Sequence, residues 1–283
     1  MRHLVDVQFM PNKIERSLSH LGFIQIQPSA RLAEVVECYW FLKTNASANI
    51  NSIEYLHSNG GMGIVLNFAD PISFRDHRYS DTCIFKGTST FTKEVALYGA
   101  LETVGIRFKP AGASFFLPLP LSELKDQAVS LSELNIKNHP DLYSKVYEAN
   151  TITKKVLTIE NWLCKFFNSN NHIPYIVDEA LAYIEKHNGI KKIASLTEYL
   201  NLDKRKLERL FQHQVGLSPK EYSRNIRIEK AREYIKHSNN NSLSNIAYDL
   251  GYYDQPHFIN QFKKIEGITP REYMRKAFNK DYH

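Results

Sequence analysis

Cysteine is scarce in this chain: three in 283 residues. Cys38, Cys83 and Cys164 lie far apart and are odd in number, which excludes a disulfide framework and fits reduced thiols in a cytoplasm. No CxxC or HxxxH spacing offers a metal site. The longest weakly charged apolar run, Ala111 to Ser122, is about half a bilayer span and holds Pro118 and Pro120, so no segment is expected to cross a membrane. The start, MRHLVDVQFM, lacks the continuous apolar stretch of a signal peptide. Gly60-Gly61-Met62-Gly63 is not followed by the Gly-Lys-Ser/Thr of a phosphate loop and reads as a hairpin turn. His57 beside Ser58 has no GxSxG frame and no evident acid partner. His3, His20, His57, His77 and His139 are too scattered for a metalloenzyme centre. No catalytic residue and no cofactor is expected.

What is present is an ordinary globular composition, 43% hydrophobic and 23% charged, carrying a net charge of +6. That charge is unevenly placed. Residues 1–171 carry 17 Lys and Arg against 16 Asp and Glu, whereas residues 172–283 carry 19 against 14. A basic end of this kind is the electrostatic footprint of a nucleic-acid partner, or less often of anionic lipid.

The patterning predicts an α+β chain. Phe23 to Gln27 alternates, and Cys38–Leu42, Gly63–Phe68 and Thr103–Phe108 are short aromatic and β-branched runs bounded by Gly, Pro, Asn or Asp. Strands without long intervening helices argue a sandwich or barrel. From about Leu121 the character changes. Segments 139–149 and 151–168 carry apolar residues at helical spacing, among them Ile152, Val156, Ile159 and Trp162. The polar stretch 167–172 reads as a linker. The expected division is a β-rich regulatory domain over 1–135, a helical connector over 136–171 and an all-helical domain over 172–283.

Within that last domain the chain repeats itself at an offset of 51 residues. Asp203, Phe211, Gly216, Pro219, Glu221 and Tyr222 fall on Asp254, Phe262, Gly267, Pro270, Glu272 and Tyr273. Two copies are too few for a solenoid, so this is a duplicated supersecondary unit. In the second copy Gly251 ends a short helix in a left-handed conformation. Asp254 then caps the next helix, which Phe258 and Phe262 bury. This is a helix-turn-helix. In the first copy Asn201 takes the glycine's place. The two units are expected over 193–213 and 243–264, joined by a helix over 219–237.

The outward faces of the second helices carry the chemistry. In the first unit Arg205, Glu208 and Arg209 suit base edges, arginine matching guanine and glutamate accepting from cytosine. Lys204 and Lys206 suit phosphates. In the second unit Gln255 and Asn260 could pair with adenine, with Pro256 and His257 alongside. Ile259 fits a thymine methyl or the core equally well. Arg224, Arg227, Lys230 and Lys263 are placed to hold phosphates, which positions a protein without specifying sequence.

The run Gly251-Tyr252-x-Asp254-x2-His257-Phe258-x3-Phe262-Lys263-x3-Gly267-Ile268-Thr269-Pro270-x2-Tyr273, with its upstream copy, resembles the AraC/XylS family of transcriptional regulators. The resemblance implies sequence-specific binding of double-stranded promoter DNA through Arg205, Glu208, Arg209, Gln255, Pro256, His257 and Asn260. An arginine is common where Asn260 stands, so contacts there differ. Leu32-Ala33, Val36 and Cys38-Tyr39-Trp40, then His57-Ser58-Asn59-Gly60-Gly61 and Gly105-Ile106-Arg107-Phe108-Lys109-Pro110, resemble the family's sensor domains. This implies a cupin-like β-barrel that binds a small-molecule effector, forms a homodimer, or both. Activation through RNA polymerase is the family's common mode. The competing readings are a ligand-free regulator controlled by a protein partner, and a cupin-type metalloenzyme fused to a DNA-binding domain.

Overall fold

A computed structural model describes residues 22–44, 50–58, 60–74, 77–79, 83–136, 139–166, 173–237 and 242–278. The chain start, the 167–172 linker and the polar stretch at 238–241 lie outside the described residues.

The first part is built from two antiparallel sheets. Six strands form the larger one: β1 (Ile24–Ile26), β2 (Val36–Lys43), β4 (Met62–Asn67), β7 (Cys83–Lys86), β9 (Glu102–Phe108) and β10 (Ala128–Ser130), in the order β1-β2-β9-β4-β7-β10. The smaller has β3 (Ile50–Leu56), β5 (Ile72–Phe74), β6 (His77–Tyr79) and β8 (Lys93–Gly99), in the order β3-β8-β5-β6. No ladder joins the two among the described residues, so they are described as a sandwich, and the closure of the barrel expected from the resemblance is not shown. The α+β class holds.

The larger sheet is buried on both faces, which explains why its central strand β4 reads as an almost unbroken apolar run. Ile64, Leu66, Phe85, Ile106 and Phe108 face one core, while Val65, Ile84 and Leu42 face the smaller sheet. The helices α1 (His139–Glu148) and α2 (Ile152–Leu163) lie over the first face, contributing Leu142, Val146, Val156, Ile159 and Trp162 to it. The stretch read as a connector therefore packs as a third layer on the sandwich.

Seven helices follow: α3 (Tyr175–Lys186), α4 (Ile193–Tyr199), α5 (Lys204–Gln214), α6 (Pro219–His237), α7 (Leu243–Asp249), α8 (Gln255–Glu266) and α9 (Pro270–Phe278). They enclose two separate cores. Leu196, Leu207, Phe211 and Leu217 belong to one, Ile246, Phe258, Phe262 and Ile265 to the other. Helix α6 serves both, giving Tyr222 and Ile226 to the first and Ile228, Ala231 and Ile235 to the second. Because it meets packing partners on several sides, its sequence shows no single apolar stripe.

The sandwich docks against these helices through the loop between β7 and β8 and its neighbours. Asn225 Nδ2 donates to the Ser89 carbonyl at 3.1 Å, and the Thr92 amide donates to the Ile265 carbonyl at 2.6 Å. Ser58 donates its hydroxyl to the same Ser89 carbonyl. Lys125 Nζ meets Glu221 Oε1 at 3.2 Å. Gly60 and Gly216 lie at this contact: a Cβ at Gly60 would stand 2.7 Å from the Tyr222 ring, and one at Gly216 2.8 Å from Met62 Cε.

Candidate nucleic-acid interface

Each helix pair turns on a residue with positive φ, Asn201 at 47° between α4 and α5 and Gly251 at 67° between α7 and α8. Asparagine is among the few residues that tolerate this region. At Gly251 a Cβ would also approach Ile190 Cγ2 to 2.6 Å, so glycine serves packing as well as conformation. Asp203 then accepts from the Arg205 and Lys206 amides (2.8 and 3.2 Å), and Asp254 from the His257 amide at 2.8 Å. These caps satisfy amides that have no partner within the helix. Pro256 stands in the first turn of α8, where a missing N–H costs nothing.

Burying Leu207 and Phe211 fixes which face of α5 turns outward. Lys204, Arg205, Lys206, Arg209 and Gln212 are exposed on it, and Glu208 is half-buried. In α8, burial of Phe258 and Phe262 leaves Pro256, His257, Asn260 and Lys263 exposed. Gln255 is half-buried and accepts from Ser244 Oγ at 2.7 Å. Ile259 is packed against the second core, the blander of its two readings. Neither outward face is covered by the sandwich.

The residues assigned to phosphates divide. Lys204, Lys206 and Lys263 are exposed, while Arg224 is half-buried. Lys230 pairs with Glu233 at 2.7 Å, and that hydrogen bond raises its pKa. Arg227 is already engaged. Its guanidinium donates to the Gly189 carbonyl at 2.7 Å and lies 5.1 Å from the Tyr252 ring centre, tying α6 to the turn after α3.

Sequence reading missed several side chains. Lys264 is exposed beside Lys263, and Tyr248 and Tyr253 stand almost fully exposed on either side of the second turn. A buried polar cluster also joins the end of α8 to the sandwich. Glu266 receives Arg232 Nη1 at 3.2 Å and Thr92 Oγ1 at 2.9 Å, and His57 Nδ1 stands 2.7 Å away. Burial pushes the Glu266 pKa up, but His57, Arg232 and Thr92 together bring it below its ordinary value. Burial lowers that of His57, outweighing the pull of Glu266. A neutral imidazole donating to a carboxylate satisfies both. His57 sits 209 residues from Glu266, and no local signal could have paired them. Among the described residues no group of His, Cys, Asp and Glu could hold a metal ion, and no helix is long and apolar enough to cross a membrane.

Residues 196–276 match the family described as a helix-turn-helix domain, from within α4 to α9. This part of the chain is similar to the AraC-type regulators. Residues 24–130 match a domain of unknown function, DUF6597. Relatives bearing the AraC-type helices include the HTH-type transcriptional activator RhaS of Citrobacter koseri, 32% identical over 97 residues, which are 34% of each chain. The HTH-type transcriptional regulator GbdR of Pseudomonas aeruginosa is 35% identical over 77 residues, 27% of this chain and 21% of that one. The alignments thus span about a third or less of these relatives' length. Among solved structures, the C-terminal domain of AraT, a response regulator from Geobacillus stearothermophilus, is 31% identical over 40% of this chain and 93% of that one, with a TM-score of 0.37.

Proposed function

We propose that the chain is a sequence-specific DNA-binding transcriptional regulator that recognises promoter DNA with two reading helices and acts as an activator through RNA polymerase. One observation carries this reading: a duplicated, capped helix pair whose second helices, α5 and α8, leave their polar faces open to solvent. In this reading residues 172–283 form the DNA-binding domain, residues 1–135 the effector-responsive regulatory domain, and 136–171 the helical piece between them. The protein works in the cytoplasm as a binding protein and not as an enzyme.

Arg205, Glu208 and Arg209 read bases from α5, and Gln255, Pro256, His257 and Asn260 do so from α8. Lys204, Lys206, Arg224, Lys230 and Lys263 hold phosphates. Arg227, given its bonds to Gly189 and Tyr252, supports α6 and leaves the phosphates to its neighbours. The sandwich touches both helix pairs from behind their reading faces. Effector binding, or dimer formation by the sandwich, then favours the arrangement of the two reading helices that fits DNA.

The test uses the full chain on a duplex selected from random sequence. Arg209→Ala should weaken binding by about 1–3 kcal/mol and relax preference at one base pair. Loss of equal size on every duplex would reassign Arg209 to phosphate, and failure to select any sequence would end the proposal.

A further inference from the structure

The turn between α7 and α8 brings together two side chains that have no counterpart in the first helix pair. Ser244 lies in the first turn of α7, and Gln255, eleven residues on, opens α8. Ser244 Oγ donates to Gln255 Oε1 at 2.7 Å. In the first pair the equivalent places, at offsets of 50 and 51 residues, hold Ala194 and Lys204. Alanine has no hydroxyl and lysine no acceptor, so the bond is peculiar to the second pair. Ser244 is exposed and takes no part in the cap of α7, where Ser242 accepts from the Asn245 amide. The helix itself does not need this hydroxyl.

The bond decides which end of the Gln255 carboxamide is free. A glutamine amide is planar, with an oxygen that accepts at one corner and an NH2 that donates at the other. Bidentate pairing with adenine needs both at once, the oxygen for N6–H2 and the nitrogen for N7. Here Ser244 turns the oxygen toward α7, and the side chain makes no other hydrogen bond among the described residues. Gln255 is half-buried at the first position of α8, and the first residues of a helix in the major groove are those that meet base edges. What it offers there is two donors. Guanine presents O6 and N7, both acceptors, whereas adenine sets its N6–H2 donor beside N7. A donor facing a donor leaves both unpaired, which costs more than a missing bond.

We propose that Ser244 is a positioning residue for base reading: it holds the Gln255 carboxamide with its NH2 outward, so that α8 selects guanine at the base pair beneath Gln255. This replaces the adenine pairing that the residue type alone allows. The inference deepens the proposed function and rests on it, because Gln255 must reach a base edge. Ser244 itself touches no base in this account; it acts only through the orientation of its neighbour.

The experiment selects duplexes from random sequence with the full chain, as wild type, Gln255→Ala, Ser244→Ala and Ser244→Thr. Gln255→Ala should lose preference at a single base pair, which marks the pair beneath Gln255. At that pair the wild type should favour guanine over adenine by roughly ten-fold, within the range of one good base contact. Ser244→Ala frees the carboxamide to turn, so this preference should fall to about three-fold or less, or pass to adenine, with the other pairs read as before. Ser244→Thr keeps the hydroxyl and should keep guanine. Any base other than guanine favoured by the wild type, or an unchanged preference in Ser244→Ala, overturns the proposal. So does Ser244→Thr behaving as Ser244→Ala, or Gln255→Ala altering no pair. The DNA reading survives each of these results, since the wild type still selects a sequence. Only a wild type that selects nothing ends that reading, and the proposal falls with it.

Discussion

The two helix pairs are copies in fold and opposites in surroundings. Gly216 and Gly267 occupy equivalent places and have nearly the same backbone, φ 78° and 77°. A Cβ at Gly216 would strike Met62, Thr88 and the Leu121 carbonyl, whereas one at Gly267 would meet nothing within 4 Å. The first pair is pressed against the sandwich broadside. The second is tied to it by the carboxylate of Glu266 and the backbone of Ile265. The outward faces differ as well, α5 presenting Lys204, Arg205, Lys206 and Arg209 where α8 presents Pro256, His257 and Asn260. Duplication fixed the internal packing of each pair, and divergence changed what each pair touches.

Removing a core ring tests whether the pairs are energetically separate. Phe211→Ala and Phe262→Ala should each cost about 3–5 kcal/mol, since both rings are fully buried. Because their cores are distinct, Phe262→Ala should raise amide exchange in α7 and α8 while sparing α4 and α5, and Phe211→Ala should do the converse. Equal loosening of both pairs by either variant would show that α6 makes them one cooperative unit.

The glycine pair sharpens the contrast in docking. Gly267→Ala should cost about 1–2 kcal/mol, the strain of a left-handed alanine. Gly216→Ala carries the same strain plus the collision with the Leu121 carbonyl, which cannot turn aside. Urea unfolding of the full chain should therefore rank Gly216→Ala as the more damaging. Equal costs would mean that the sandwich contact at Gly216 contributes no stability.

The smallest effect concerns pH. His57 sits below its ordinary 6.5 in the folded chain, so the unfolded chain takes up this proton first as pH falls through that value, and stability declines. Glu266 and Glu221 are both held below 4.5, so their contributions fade only in more acid solution. The second pair's contact should thus weaken as pH falls from 6.5 toward 4.5 while the first pair's Lys125–Glu221 contact persists. The urea midpoint of His57→Gln should be flatter than wild type across that interval. An unchanged slope would remove His57 as its cause.

The helical half was legible because its determinants are local and occur twice. Asp203 and Asp254 cap within three residues, Asn201 and Gly251 turn the chain where they stand, and the offset of 51 residues let each copy interpret the other. The sandwich was only partly legible. The richly apolar β2, β4 and β9 announced themselves, but β3, β5, β6, β7, β8 and β10 depend on pairing partners remote in sequence. The same distance hid the polar links between the two parts. Arg227 read as a phosphate ligand because nothing near it in sequence reveals Gly189 as its acceptor.

Helix α6 has 19 residues and therefore measures about 28 Å, with each residue adding a rotation of about 100°. Since it enters both cores as a single rod, adding or deleting one residue would swing one helix pair a quarter-turn and more relative to the other. The residue count of this rod therefore sets the angular phase between the outward faces of α5 and α8.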